Sequence, residues 1–95
     1  MSLSDFSNRK EATKKAKQYL GNDVKLKPST RQSKKYMVET PDGKLVHFGQ
    51  MGYADFTKHK NDRRRDAYLK RSTNIKGNWK KDKYSPNNLA IHILW

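Results

Sequence analysis

Apolar and polar residues alternate with two different periods along this chain, and each change of period marks an element. After a serine-rich opening, Ala12, Ala16, Tyr19 and Leu20 recur on one helical face. Asn8 and Glu11 stand three apart, as a capping box requires, and Gly21 sits where helices stop. The pattern predicts a helix from Arg9 to Leu20. Its apolar stripe is so narrow that a solvated, fraying helix and a docked one both remain open. Asp23 to Lys27 alternates as a short strand with one buried face does, and Pro28 closes it. PSTRQSKK is polar and turn-rich, which predicts a loop with nothing to bury that a partner could order.

Two further strands, Lys35 to Thr40 and Lys44 to Gly49, flank Pro41-Asp42-Gly43. Proline presets the first turn dihedral and glycine accepts a positive one, so the pair forms a hairpin. Alternation places Tyr36 and Val38 on one face, with Met37 and Glu39 on the other. On the second strand it separates Leu45, His47 and Gly49 from Val46 and Phe48. GQMGYADFT is a glycine-punctuated elbow, after which Asp55 or Thr57 caps a basic helix from Lys58 to about Ser72. There Asp62 and Asp66 are spaced to pair with Arg63, Arg65 and Lys70. In the irregular linker that follows, Trp79 is expected to pin the chain to the core. Ser85-Pro86 starts a last helix over NNLAIHILW, with a closing strand as the alternative, and this apolar run lacks a polar cap, as if a partner buried it. The fold class is α+β, a small single domain in which a β-hairpin or three-stranded antiparallel sheet packs with two to three short helices. Residues 1–33 form a basic N-terminal helix and flexible lead; residues 34–95 form a hairpin–helix core with an apolar C-terminal segment.

Composition limits what such a domain can do. At 95 residues with 33% apolar content, one thin core is possible, and aromatic side chains must carry much of it: Tyr36, Phe48, Phe56, Tyr68 and Trp79 are the candidates. Lys and Arg number 22 against 9 Asp and Glu, a formal net charge of +13. Self-repulsion on that scale is relieved by an acidic partner, whether nucleic acid, an anionic membrane surface or an acidic protein face. There is no cysteine, so disulfides and thiolate metal sites are excluded. No apolar run approaches the roughly 20 residues that span a bilayer, so no transmembrane segment is expected. The polar N-terminus has no signal-peptide core, which points to the cytosolic or nuclear side of a cell.

Catalytic chemistry finds little purchase. His59 and Asp62 are three apart with His47 upstream, yet no HExxH, no exposed-elbow serine motif and no phosphate-binding glycine loop occurs. The expectation is a non-enzymatic protein with no metal and no cofactor, whose histidines pack or hydrogen-bond. The basic residues are the stronger signal. Arg63, Arg64 and Arg65 are consecutive and therefore splay around a helix turn, which suits several separate acidic contacts better than base readout in one groove. With Lys34, Lys35, Lys60, Arg71, Lys80 and Lys81 they are the expected partner or phosphate contacts.

The run KKYMVETPDGKLVHFGQMGYADFTKHKNDRRRDAYLKRS, followed by NW and then SPNNLAIHILW, resembles a family of short basic proteins encoded by nucleocytoplasmic large DNA viruses of the phycodnavirus, iridovirus and mimivirus kind. The positions that carry the likeness are Phe48, Gly49, Gly52, Asp55, Phe56, Thr57, His59, Lys60, Arg64, Arg65, Tyr68, Arg71, Asn78, Trp79, Leu94 and Trp95. Asn61 and Ser72 stand where that family has Asp and His, and the family commonly continues past the final L-W pair. The resemblance implies a viral origin and a place in the virion. On that expectation the protein is a minor capsid component, a clip or cement that bridges major or other minor capsid proteins through basic contacts and sits in host cytoplasm during assembly. The alternative is a non-specific nucleic-acid-binding protein on the packaged genome.

Overall fold

In the computed structural model, which describes residues 2–95, the Asn8 side chain accepts the Glu11 amide at 3.2 Å and opens helix α1, Arg9–Leu20. Gly21 ends it with φ of 105°, a conformation that costs glycine little. The strands are β1 (Lys27–Pro28), β2 (Lys34–Glu39) and β3 (Leu45–Gln50), in the antiparallel order β1-β2-β3. A short α2 (Phe56–His59), then α3 (Asp62–Thr73), α4 (Pro86–Leu89) and a π turn (Ala90–Leu94) complete the chain, with 3₁₀ turns at Leu3–Asp5 and Trp79–Lys81. This is a small α+β domain with a three-stranded antiparallel sheet and several short helices.

The β2–β3 register pairs Tyr36 with Phe48 and Val38 with Val46, so the alternating apolar positions fall on one face. That face meets the C-terminal helical segment through Leu89, Ile93 and Leu94, and α1 docks chiefly on that segment, adding Ala12 and Ala16 to the same core, all fully or nearly fully buried. The two alanines bring α1 close to the core, and their small size is why a narrow stripe suffices to dock it. Helix α1 of the N-terminal third therefore contributes to the core. Ser7 and Asn8 bond to Thr57 at 3.1 and 3.0 Å, and the Tyr19 hydroxyl donates to the Lys83 carbonyl at 2.9 Å.

Other expectations change. The first strand is shorter than 23–27, because only Lys27 and Pro28 pair with β2, although Leu26 is buried as the alternation requires. PSTRQSKK is ordered by its own bonds: the Ser29 amide donates to the Lys35 carbonyl, and Ser29 Oγ lies 2.7 Å from His47 Nδ1. The predicted helix from Lys58 is broken at Lys60, whose φ of 55° is left-handed, and restarts with Asn61 capping the Arg64 amide at 3.1 Å. Within 4 Å, Asp62 and Asp66 form none of the expected ion pairs. The C-terminal run is helical, and Ser85 caps the Asn88 amide at 3.2 Å with Pro86 in the first turn, which settles the helix-or-strand alternative. Of the expected core aromatics, Tyr36 and Phe48 are buried, whereas Phe56, Tyr68 and Trp79 are half-buried. Trp79 does not pin its linker. Buried Asn88 does so, donating from Nδ2 to the Trp79 and Asp82 carbonyls at 2.8 and 2.9 Å.

Gly49 makes this packing possible. Its φ is 82°, and a Cβ there would come within 2.8 Å of Leu94 Cδ1 and 3.2 Å of Lys35 Cβ. Gly49→Ala is expected to cost about 2–3 kcal/mol, from roughly 1–2 kcal/mol for a left-handed L-residue with the remainder from overlap with Leu94. The urea midpoint reads that loss directly, and an unchanged midpoint would show that Leu94 shifts freely.

Candidate anion-binding surfaces on either side of helix α3

Lys35 crosses the space that Gly49 leaves and reaches the elbow, where its Nζ lies 2.9 Å from Asp55 Oδ2 and 3.3 Å from the Phe6 carbonyl. The two side chains are 3% and 0% exposed. Asp55 also accepts the Thr57 amide at 3.0 Å and the Thr57 hydroxyl, which caps α2. Ser7 Oγ lies 3.1 Å from Thr57 Oγ1 and receives the Tyr36 hydroxyl at 2.8 Å, so the network joins the N-terminus, β2 and the elbow. Burial pushes the pKa of the Lys35 ammonium down while the Asp55 carboxylate pulls it back up. Lys35 was expected to contact a partner. It is instead neutralised inside the fold, since a charge this deeply buried needs a counter-charge and hydrogen bonds.

The consecutive arginines do splay. Arg64 and Arg71, two helical turns apart, face a groove of about 840 Å³ that Lys34 also enters. One wall is α3 with Tyr68; the floor is Gly49 and the elbow; the far wall is the C-terminal helical segment with Leu94 and Trp95. Tyr68 and Trp95 stack at 4.2 Å with rings 10° from parallel. Tyr53, 68% exposed, and Ile75, 52% exposed, stand at the groove. The lining contains no Asp or Glu side chain. It therefore offers three cations, Lys34, Arg64 and Arg71, with no carboxylate of the described side chains within 4 Å, beside exposed apolar surface.

Arg65 turns the other way. Its Nε donates to the Trp95 main-chain oxygen at 2.8 Å, and its guanidinium lies 5.4 Å from the Phe56 ring centre. Lys60 and Lys15 approach the same ring. Arg63 is exposed and lines neither surface, and Lys80 and Lys81 lie apart on the 3₁₀ turn, Lys80 over the Trp79 ring at 5.6 Å. Sequence reasoning missed Lys15, Ile75 and the exposed position of Tyr53. Lys15 carries no signal of its own, because only the docking of α1 beside α2 and α3 brings it to the cluster.

His59 sits between Phe56 and Trp95, at 6.1 and 5.2 Å between ring centres. The Asn61 amide donates to its Nδ1, which leaves the proton on Nε2, an atom buried without a hydrogen-bond partner. Among the described residues no three His, Asp or Glu side chains converge as a metal ion would require. No helix among them is long and apolar enough to cross a membrane. The pKa of His59 is lowered by burial and then by Arg64, and that of His92 by burial and then by Lys15. Each folded pKa lies below the ordinary 6.5, so the unfolded chain binds more protons as pH falls below that value. Stability should therefore drop on acidification from pH 7.5 to 5.5, and His59→Gln should flatten the slope of Tm against pH. An equal slope in that variant would place the dependence elsewhere.

A family model described as a family of unknown function, DUF5754, matches residues 24–72. The chain belongs to that family. The DUF5754 segment holds the sheet, the elbow and all of α3 but Thr73, hence Lys35, Asp55 and the arginines of both surfaces. It does not hold Lys15 or the groove's far wall, and Ala12, Ala16, Leu89, Ile93 and Leu94 of the core lie outside it too. No curated protein and no solved structure matches the chain.

Proposed function

We propose that this DUF5754 protein is a non-enzymatic minor structural component of the virion of a large double-stranded DNA virus, a clip that grips an acidic segment of another shell protein in the groove beside α3. The observation that carries the reading is the composition of that groove. Lys34, Arg64 and Arg71 converge with no carboxylate among the lining side chains, next to exposed Tyr53 and Ile75 and the Tyr68–Trp95 stack. Arginines and aromatics in a concave, partly apolar site are the usual anchors of protein interfaces. Charge complementarity selects an acidic segment, and the apolar wall selects a protein over bare phosphate backbone. The viral setting rests on the resemblance over Lys34 to Trp95.

Mass spectrometry of purified, nuclease-treated shells tests this directly. The protein is expected in the shells at a fixed ratio to the major capsid protein. Absence from shells, with recovery in the genome fraction, rejects it in favour of the nucleic-acid reading, which the net charge of +13 supports.

A further inference from the structure

We propose that the groove beside α3 continues past Lys34 into a second cleft, and that the acidic partner segment lies along both, with a further carboxylate at Arg31 and an apolar side chain in the second cleft. This rests on the clip reading above and specifies what its partner must carry. The second cleft, of about 680 Å³, lies between the N-terminal 3₁₀ turn and the loop that joins β1 to β2. Leu3, Phe6, Pro28 and Met51 give it apolar walls, while Arg31 and Lys34 bring charge. Lys34 lines the groove as well, and along the elbow Gln50 and Tyr53 line the groove where Met51 and Gly52 line the cleft. The two hollows adjoin at Lys34, so a chain leaving one passes that ammonium to enter the other.

The cleft is built by bonds already within the fold. The Phe6 carbonyl accepts from Lys35 Nζ at 3.3 Å and from the Asp55 amide at 3.0 Å, which holds one wall. On the other side the Arg31 amide donates to Ser29 Oγ at 3.0 Å and the Arg31 carbonyl accepts the Lys34 amide at 3.1 Å. The main chain thus presents Arg31, whose side chain is exposed with no carboxylate of the described side chains within 4 Å. A loop ordered in advance gives up little entropy on binding. No Asp or Glu lines the cleft, so charge complementarity selects carboxylates, and the apolar walls select a protein segment over phosphate backbone. The track from Arg71 through Arg64 and Lys34 to Arg31 also sets a spacing. Arg64 and Arg71 stand about 10 Å apart along the axis of α3, which an extended segment spans in about three residues. The partner should therefore carry its acids some three residues apart, with apolar residues between.

Because the chain has no cysteine, a thiol placed at exposed Gln32, in the cleft lining, is a unique reporter of occupancy. The probe is a fluorescein-labelled peptide of about twelve residues that repeats Glu-Tyr-Glu and reaches about 40 Å when extended, more than the 36 Å longest extent of the domain. At about ten times its Kd, the rate at which Gln32→Cys reacts with a maleimide should fall about tenfold. Arg31→Glu should keep its Tm and bind the peptide about tenfold more weakly, as read by fluorescence anisotropy. Arg64→Glu/Arg71→Glu should abolish both binding and protection. A peptide that depends on Arg64 and Arg71 yet leaves the thiol unprotected, or binds Arg31→Glu as it binds the parent, overturns this inference and leaves the groove reading standing. A peptide indifferent to Arg64 and Arg71, or one that does not bind, removes both. An oligothymidylate that protects the thiol better than the peptide does overturns the inference in favour of nucleic-acid backbone.

Discussion

Replacing Asp55 with alanine is expected to cost about 3–5 kcal/mol of folding free energy, the range for stranding one partner of a buried ion pair. Lys35 would be left without its 2.9 Å partner in a site where it is 3% exposed. The Thr57 amide and hydroxyl would lose their acceptor, and α2 its cap. A small domain has roughly 5–15 kcal/mol in total, so the variant should unfold at a markedly lower urea concentration than the parent. Urea denaturation followed by circular dichroism measures the loss. The double variant Lys35→Met/Asp55→Asn separates the charge from the cap: asparagine still caps, methionine needs no counter-charge, and most of the stability should return. An Asp55→Ala protein as stable as the parent would mean that Lys35 escapes to water and that the network contributes little.

The other large effect concerns binding. Arg64→Glu/Arg71→Glu reverses two exposed charges in the groove without touching the core, so Tm should move little. Affinity for the acidic partner should fall by about a thousandfold, roughly 4 kcal/mol, because arginine anchors are lost and like charges are set opposite each other. Co-sedimentation with shells lacking the endogenous protein reads this. Retained binding in a folded variant would remove the groove from the functional account.

Local signals made much of the fold legible. Asn8, Gly21 and Ser85-Pro86 mark helix ends by chemistry that acts within a few residues, and α1 and the last helix begin where those signals place them. The proline-glycine turn and the alternation of Tyr36 and Val38 specify the hairpin and its buried face for the same reason. The splay of three adjacent arginines is likewise local geometry, and Arg64 and Arg65 do serve opposite sides of α3. What stayed hidden depends on contacts far apart in sequence. Lys35 looks like any strand lysine until the elbow brings Asp55 beneath it. The break at Lys60 is held by Asn61 turning its amide to His59 and its side chain to Arg64, a pattern that otherwise reads as continuous helix. Lys15 gains meaning only beside Phe56, some forty residues away.

The groove's two sides come from opposite ends of the folding problem: Lys34, Arg64 and Arg71 precede the linker, while Leu94 and Trp95 lie beyond it. A nascent or partly melted molecule displays the arginines but not the surface that shapes them into a cleft. On the proposed function, docking would act as a quality check, admitting finished copies into an assembly and leaving incomplete ones behind.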